Sequence, residues 1–422
     1  MRRYDSYKDS NTLQFGMIPE HWEEVKIQYC FKERSQKGFP NEPMLCATQS
    51  QGVIPQSMYN NRVVVVNKDF DKQKLVKIGD FVISLRSFEG GIEYAYYQGI
   101  ISAAYTILIP NEGVNIPYFK LLFKSFNFIQ LLRTCVTGIR EGQNINYRLL
   151  GKHYIPIPPI EEQRVIVEYL NRKTGLIERQ KKDLEREVQL LEELKQAEIA
   201  EAVTHGLNPG APMKESGVEW IGKIPSHWKV LQIKRIFEED NERNENLEFE
   251  LMSFSKKRGI IPFAQLNEKA PSALDLTKYR IIRPGQLLEN RMQAWHGMFA
   301  YVDKVGCISP DYSVFKVRPH IEVNVKYYEH VFRTSKWVQQ FANSSKGIGS
   351  GFNRLYTPQF GAIFTLLLPI EEQKAIVEYI ERKVGKIDEM IDGLKKQIDY
   401  LTEYKQRLIA DVVTGQINVQ PN

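Results

Sequence analysis

Cysteine is scarce in this chain. Four occur in 422 residues, at Cys30, Cys46, Cys135 and Cys307, and no two form a C-x-x-C pair. That scatter disfavours a zinc site and a disulfide scaffold alike. The seven histidines show no metal-ligand spacing either. Long apolar runs are missing: the longest candidates, Val63–Val66 and Phe364–Leu368, read as strands and fall far short of the ~18 residues a membrane span needs. The N-terminus lacks an apolar h-region, so no signal peptide is expected. The cytoplasm is the simplest compartment, with no membrane partner. Charge of one sign is modest too, a net +6 that names no partner by itself. What is present is 42% hydrophobic, 26% charged and 11% aromatic, which excludes wholesale disorder, collagen and a coiled-coil rod. At roughly 100 to 200 residues per domain the length suggests two to four domains, each able to bury a core.

The chain repeats itself. Gly16-Met-Ile-Pro-Glu-His21-Trp22 recurs as Gly222-Lys-Ile-Pro-Ser-His227-Trp228, and Lys8, Asp9 and Ser10 upstream match Lys214, Glu215 and Ser216. Gln51-Gly52-Val-Ile-Pro55 faces Arg258-Gly259-Ile-Ile-Pro262, Gly79 faces Gly285, and Gly138–Tyr147 faces Gly347–Tyr356. Pro159-Ile-Glu-Glu-Gln163 and Pro369-Ile-Glu-Glu-Gln373 open stretches identical at 13 of 19 positions. The offset drifts from 206 to 210 while the order never changes, so nearly the whole chain is a duplication. Similarity is highest at the His-Trp corner and from Pro-Ile-Glu-Glu-Gln onward. Between them little matches beyond glycines and aromatics, which suggests a shared frame around two inserts with different tasks.

The frame is helical. From Glu161 to Ala202 there is no proline and a single glycine, Gly175. Ile177, Leu184, Val188 and Leu191 fall at heptad spacing, and Ile387, Ile391, Leu394, Ile398, Leu401 and Leu408 do so more fully. The prolines before Glu161 and Glu371 suit a helix start, and the paired glutamates suit its positive end. Each helix could run unbroken or bend at Gly175 and Gly385. Two ordinary core helices would carry similar stripes. A pair is favoured because two polar-faced helices of matching length can bury their seams on one another, and an antiparallel pairing would give a pseudo-twofold particle. The inserts are α+β. Phe81–Ser84, Ile100–Ile109, Arg280–Ile282 and Ser313–Val317 read as strands, and Tyr118–Leu132 and Val325–Phe341 as helices.

Charge divides along the same lines. Glu161–Glu201 carries a net −3 and Glu371–Asp411 a net −2, which leaves +11 on the rest of the chain. That is the footprint of phosphate binding, placed on the globular parts. Ser253–Gly259 includes Ser255, Lys256, Lys257 and Arg258, whereas the equivalent Thr48, Gln49, Ser50 and Gln51 are neutral but rich in amides and hydroxyls. Arg86 with Ser87, and Arg291 with Asn290, occupy nearly equivalent loops. The glycine loops add Arg140, Gln143, Asn144 and Arg148 in one copy and Lys346, Asn353 and Arg354 in the other. Arg and Lys fit guanine O6/N7 and Gln and Asn fit adenine N6/N7, so these residue types suit reading a major groove with phosphate contacts beside it. Any one of them taken alone reads more simply as a solvated surface residue. As paired loops on a +11 background they point to nucleic acid.

Taken together, Lys-Asp-Ser…Ile-Pro-Glu-His-Trp (8–22), Lys-Glu-Ser-Gly-Val-Glu-Trp-Ile-Gly-Lys-Ile-Pro-Ser-His-Trp (214–228), both Pro-Ile-Glu-Glu-Gln boxes and the helix ends Ala-Val-Thr (202–204) and Val-Val-Thr (412–414) resemble the specificity subunit of type I restriction–modification enzymes over essentially the full chain. The resemblance implies an α+β fold in which two target recognition domains, 1–158 and 207–368, are separated by two long antiparallel, coiled-coil-like helices, 159–206 and 369–422. Each domain would read one half of an asymmetric, bipartite site in double-stranded DNA. The helices would set the gap and dock two methyltransferase subunits, with restriction subunits joining that core. The resemblance implies no cofactor in this chain; S-adenosylmethionine, and ATP with Mg2+, would belong to the partners.

Three other functions compete. A stand-alone adenine methyltransferase would need an Asn/Asp-Pro-Pro-aromatic motif, which the chain lacks. Gly347-Ile-Gly-Ser-Gly351 is a weak nucleotide-loop signal, and its partner Gly138–Gly142 lacks the middle glycine. For a nuclease, the acid-x-Lys triplets Glu193–Lys195 and Glu403–Lys405 sit on helices where charge pairs are ordinary. His21 and His227 are better read as packing beside their tryptophans than as catalysts. A protein-only helical scaffold would leave the +11 unused.

Overall fold

The computed structural model describes residues 2–59, 69–138, 144–256, 258–266, 275–347 and 353–421. Contacts divide it into two compact units, one of residues 1–185 with 395–422 and the other of residues 186–394. The long helices Ile160–His205 and Ile370–Val413 each contribute a stretch to both units.

The two units share one sheet topology. In the first, four antiparallel strands lie in the order Phe31–Arg34, Thr106–Pro110, Phe81–Ile83, Glu93–Tyr94; in the second the order is Phe237–Glu239, Tyr312–Val317, Leu287–Asn290, Phe299–Tyr301. Side chains alternate across a strand, so each sheet feeds two cores. In the first unit Phe81, Ile83 and Leu108 pack on Phe119, Phe123 and Phe128, while Val82 and Ile107 pack on Leu45, Val53 and Val76. In the second, Leu287, Phe299 and Phe315 join Phe332, Phe341 and Phe360, while Leu288 and Val314 join Met252, Phe254 and Ile260.

Several expected elements are divided. Ile100–Ile109 is two strands, Gly99–Ile101 and Thr106–Pro110, because a turn closed by Tyr105 N–H on the Ser102 carbonyl at 3.0 Å sends them to different sheets. Tyr118–Leu132 becomes Ile116–Leu122 and Phe126–Thr134, with Ser125 capping the second helix at the Phe128 amide. Val325–Phe341 breaks at Thr334, whose extended ψ of 153 separates Val325–Arg333 from Ser335–Ser344. Arg280–Ile282 is a strand, and Ser313–Val317 lies within Tyr312–Val317. Val63–Val66 lies outside the described residues.

Both long helices run unbroken through Gly175 and Gly385, where a Cβ would meet nothing within 4 Å. The central helix ends at Gly206, whose φ of +77 suits a residue without Cβ. In the second unit Lys195 pairs with Asp388 at 2.6 Å and Lys383 with Glu198 at 3.0 Å, so the two helical stretches run antiparallel there. Tyr379 adds a hydrogen bond to Glu198 at 2.7 Å, the largest influence holding that carboxyl below its ordinary range. In the first unit Lys405 pairs with Glu178 at 2.8 Å, above a seam in which Ile166, Leu170 and Ile177 share a core with Leu408, Val412 and Val413. Both acid-x-Lys lysines are therefore interhelical ion-pair partners.

The repeated motifs form a repeated hook. In the first unit Glu162 accepts from the buried Trp22 indole at 3.1 Å and contacts His21 Nε2 at 2.9 Å, with the Tyr4 hydroxyl also donating to it. In the second, Glu372 takes Trp228 at 3.1 Å and His227 at 2.8 Å. The second glutamate of each Pro-Ile-Glu-Glu-Gln box thus sits in the first helical turn, where negative charge is favoured, and ties the His-Trp corner to it. The following glutamine closes the cap: Gln163 donates to the Pro158 carbonyl and Gln373 to that of Leu368, each at 2.8 Å.

Candidate nucleic-acid interface

In the first unit two loops meet. Strand Leu45–Thr48 turns into Gly52–Pro55, and the buried Thr48 hydroxyl closes the turn by donating to the Gly52 carbonyl at 2.9 Å and accepting from the Gln51 amide at 3.0 Å. The second loop leaves Phe81–Ile83 and makes one helical turn, Ser87–Gly90. Gly91 then takes a φ of +84 beneath the Phe123 carbonyl, where a Cβ would collide. The Gln49 side chain lies directly on Gly90. Together the loops expose Gln49, Ser50, Gln51 and Arg86. Beside them Tyr96 and Tyr97 are exposed, and the Lys120 ammonium lies 4.6 Å from the Tyr94 ring centre and 4.7 Å from that of Tyr96. Asn144 and Arg148 belong to a different stretch. The Asn144 amide reaches the Ala104 carbonyl at 3.5 Å, and Arg148 is exposed on a short helix capped by Asn146.

In the second unit three loops join through a continuous set of contacts. Ser255 accepts from the Arg258 amide at 3.4 Å, and Lys256 donates to the His296 carbonyl at 3.1 Å, which ties this turn to the Asn290–Gly297 loop. In that loop Asn290 accepts from the Met292 amide at 3.1 Å and Trp295 stacks on His296 with ring centres 3.6 Å apart. The Arg291 carbonyl accepts from Leu355 N–H at 3.0 Å, and Arg354 pairs with Asp311 at 3.5 Å, bringing in the third loop. Lys346 and Asn353 are exposed on the hairpin that leads there. The turns at Ser255 and Arg354 thus place Lys256, Arg258, Asn290 and Arg354 on one connected surface.

Three expected contact residues do something else. Thr48 and Ser87 are buried: Thr48 builds its turn, and Ser87 accepts from the Ser84 amide at 2.8 Å to start the helical turn. Arg291 spends its guanidinium on the backbone carbonyls of Asp311, at 3.2 Å, and Pro310. Small hydroxyl residues beside a turn serve the backbone first, since their oxygen reaches amides two or three residues away. Arg140, Gln143 and Lys257 lie outside the described residues.

Sequence reading missed the groups that hold these loops, Lys124 and Arg333, as well as the aromatic faces of Tyr96 and Trp295. Lys124 and Arg333 follow Phe123 and Phe332 at one offset of 209, so the repeat did carry a signal for them. The aromatics have no counterpart in the other copy, and only burial distinguishes them from core. Among the described residues no cluster of His, Cys, Asp and Glu could hold a metal, and no helix is long and apolar enough to cross a membrane.

Residues 19–186 match the family described as the type I restriction modification DNA specificity domain, a span that includes the candidate loops of the first unit. The chain is 24% identical over 443 residues to the putative type I restriction enzyme MjaX specificity subunit of Methanocaldococcus jannaschii, with 98% of each chain covered. It is 23% identical over 329 residues to the type I restriction enzyme EcoKI specificity subunit of Escherichia coli K12, covering 71% of this chain and 67% of that one. A solved chain from work on complex assembly and conformational transition of the type I R-M system has a TM-score of 0.65 at 16% identity, covering 95% of this chain and 99% of that one, a likeness of fold. The chain is thus similar to type I restriction–modification specificity subunits in a domain match over residues 19–186, in sequence over its full length, and in fold.

Proposed function

We propose that the two recognition domains, 1–158 and 207–368, read the two unlike halves of one bipartite site in double-stranded DNA. One observation carries this reading: equivalent loops of one fold present different polar groups. Gln49, Ser50 and Gln51, with Arg86, occupy the loops equivalent to those that carry Lys256 and Arg258, with Asn290, in the second unit. Amides suit adenine and cationic groups suit guanine or phosphate, so two such surfaces select different sequences. The chain is the DNA-recognition component and not a catalyst, as its relatives are specificity subunits.

The long helices would dock two methyltransferase subunits, with restriction subunits joining them in the cytoplasm. S-adenosylmethionine, and ATP with Mg2+, would be held by those partners. Support for the helices as a docking frame comes from their length, 46 and 44 residues, and from exposed Leu176, Leu190, Leu194, Met390, Tyr400 and Tyr404 along them. The ion-paired Lys195 and Lys405 weigh against a nuclease built on those triplets.

Mapping methylated positions in DNA from cells carrying the chain with its methyltransferase partner tests the reading. A bipartite, asymmetric methylated sequence is expected, and methyl transfer by the purified chain alone would overturn it. Exchanging Ser253–Gly259 for Thr48–Gly52 should alter one half-site and leave the other intact.

A further inference from the structure

Each unit has a cation at the same place in the repeat, beside its two loops. Lys124 and Arg333 directly follow the phenylalanine whose carbonyl lies near the left-handed glycine of the loop, Phe123 by Gly91 and Phe332 by Gly297. In the first unit the Lys124 ammonium donates to the Gly90 carbonyl at 2.9 Å and to the Gln49 carbonyl at 3.5 Å. One nitrogen therefore touches the backbone of both loops that expose Gln49 and Arg86. It also pairs with Glu93, which is buried in the strand that follows the second loop. Burial pushes the Glu93 carboxyl up and the Lys124 charge opposes that shift, so the pair is anchored on its acidic side by the sheet.

The second unit places its cation against the two strands that flank its loops. Arg333 donates through Nε at 2.9 Å and Nη2 at 2.7 Å to the Phe299 carbonyl, in the strand that follows the Asn290–Gly297 loop. The guanidinium carbon is 6.0 Å from the ring centre of Phe254, one residue before the Ser255 turn. Arg333 pairs with Glu329 at 2.7 Å, and Glu329 in turn accepts from the Tyr301 amide at 2.9 Å. The acid comes from the sheet in one unit and from the helix in the other, yet the cation sits at one offset, on loop backbone in the first unit and on the strands that flank the loops in the second. Neither cation is well placed for DNA: the Lys124 side chain is 29% exposed and that of Arg333 24%.

We propose that Lys124 and Arg333 are positioning residues, which hold the two reading loops of their own unit in mutual register and so set the selectivity of that unit's half-site without touching DNA. This rests on the reading that these loops recognise the half-sites. A base contact depends on donor and acceptor positions to a few tenths of an ångström, so a loop released from its tie loses discrimination before it loses affinity. Affinity from phosphate contacts is spread over many side chains and tolerates such a shift.

The test uses the full chain with its methyltransferase partner on duplexes randomised across the methylated site, with the discrimination of each half scored separately. K124M is expected to relax one half-site by about tenfold, the scale of one lost bidentate contact, and to leave the other unchanged. R333M is expected to do the same at the opposite half. The milder K124R and R333K keep the charge but move the donors. They should shift the same half-site by a smaller factor, so a methionine variant that does not fold leaves the question open to measurement. Wild-type discrimination at both halves in the Arg and Lys variants, or equal loss at both halves in any folded variant, overturns the proposal. A wild-type chain with no half-site selectivity would instead overturn the reading on which it rests.

Discussion

Glu289 offers a direct test of the second unit's architecture. It lies in the strand Leu287–Asn290, opposite Ser313 and Phe299 in register, and is 0% exposed. Neither carboxyl oxygen has a hydrogen-bond partner among the described residues. Burial pushes its pKa up from 4.5 to about 8; the charges of Arg291 and Arg280 and the Ser313 side chain pull down, and the Glu239 charge pushes up. At neutral pH the folded protein thus keeps a proton here that the unfolded chain releases. The stability associated with that proton is complete below about pH 4.5, declines as pH rises, and is fully lost above about pH 8. Three and a half pKa units correspond to a total of about 5 kcal/mol, of which about 2 kcal/mol falls between pH 5.5 and 7.5. Glu289→Gln removes the titrating group, and Glu289→Ile restores the residue type of the matching position, Ile83. Both variants should lack this component of the pH dependence. The difference in unfolding free energy from wild type should therefore grow with pH across that window. Urea unfolding followed by tryptophan fluorescence reports mainly on this unit, since Trp220, Trp228, Trp295 and Trp337 all lie in it. Parallel pH profiles for wild type and both variants, or a difference that shrinks as pH rises, would refute the argument.

Removing the hook glutamates should be costly. Glu162→Ala or Glu372→Ala orphans a tryptophan N–H, and a loss of about 1–3 kcal/mol is expected in the unfolding of the unit concerned. Gly91→Ala forces a Cβ against the Phe123 carbonyl at positive φ and should relax one half-site, measured by methylation of randomised duplexes. Gln49→Ala should cost about 1–3 kcal/mol at one base position, whereas Arg258→Ala should weaken binding to all sequences and lower the salt slope by about 1, both read by DNA titration at several salt concentrations.

Much of the frame was legible because it repeats. Pro-Ile-Glu-Glu-Gln and His-Trp are present twice since each pair makes one contact, the Glu162–Trp22 or Glu372–Trp228 bond. Heptad leucines and isoleucines announced the helices, since a stripe at that spacing has few other uses. The breaks at Ser125 and Thr334 were harder to see, as apolar periodicity continues across them. The capping serine and the extended threonine are ordinary helix residues until packing of the two short helices demands a turn.

For the proposed interface, the sequence pointed to loops in which the structure engages some of the side chains with backbone. Thr48, Ser87 and Arg291 have the residue types of DNA contacts, but Thr48 and Ser87 serve backbone groups of their own turns and Arg291 binds the carbonyls of Pro310 and Asp311. Whether a hydroxyl or guanidinium faces solvent or the backbone depends on where neighbouring strands stand, and a linear pattern does not hold that information. By itself the sequence determined the duplication, the two long helices, the basic inserts and the family resemblance, because periodicity, charge and motif spacing are local properties of the chain. Only the tertiary structure decided that Lys124 bonds to both loops, that Arg333 lies against the strands that flank its own, and that Glu289 is buried without a hydrogen-bond partner among the described residues. Those facts depend on residues brought together by folding, among them Gln49 with Lys124 and Phe254 with Arg333.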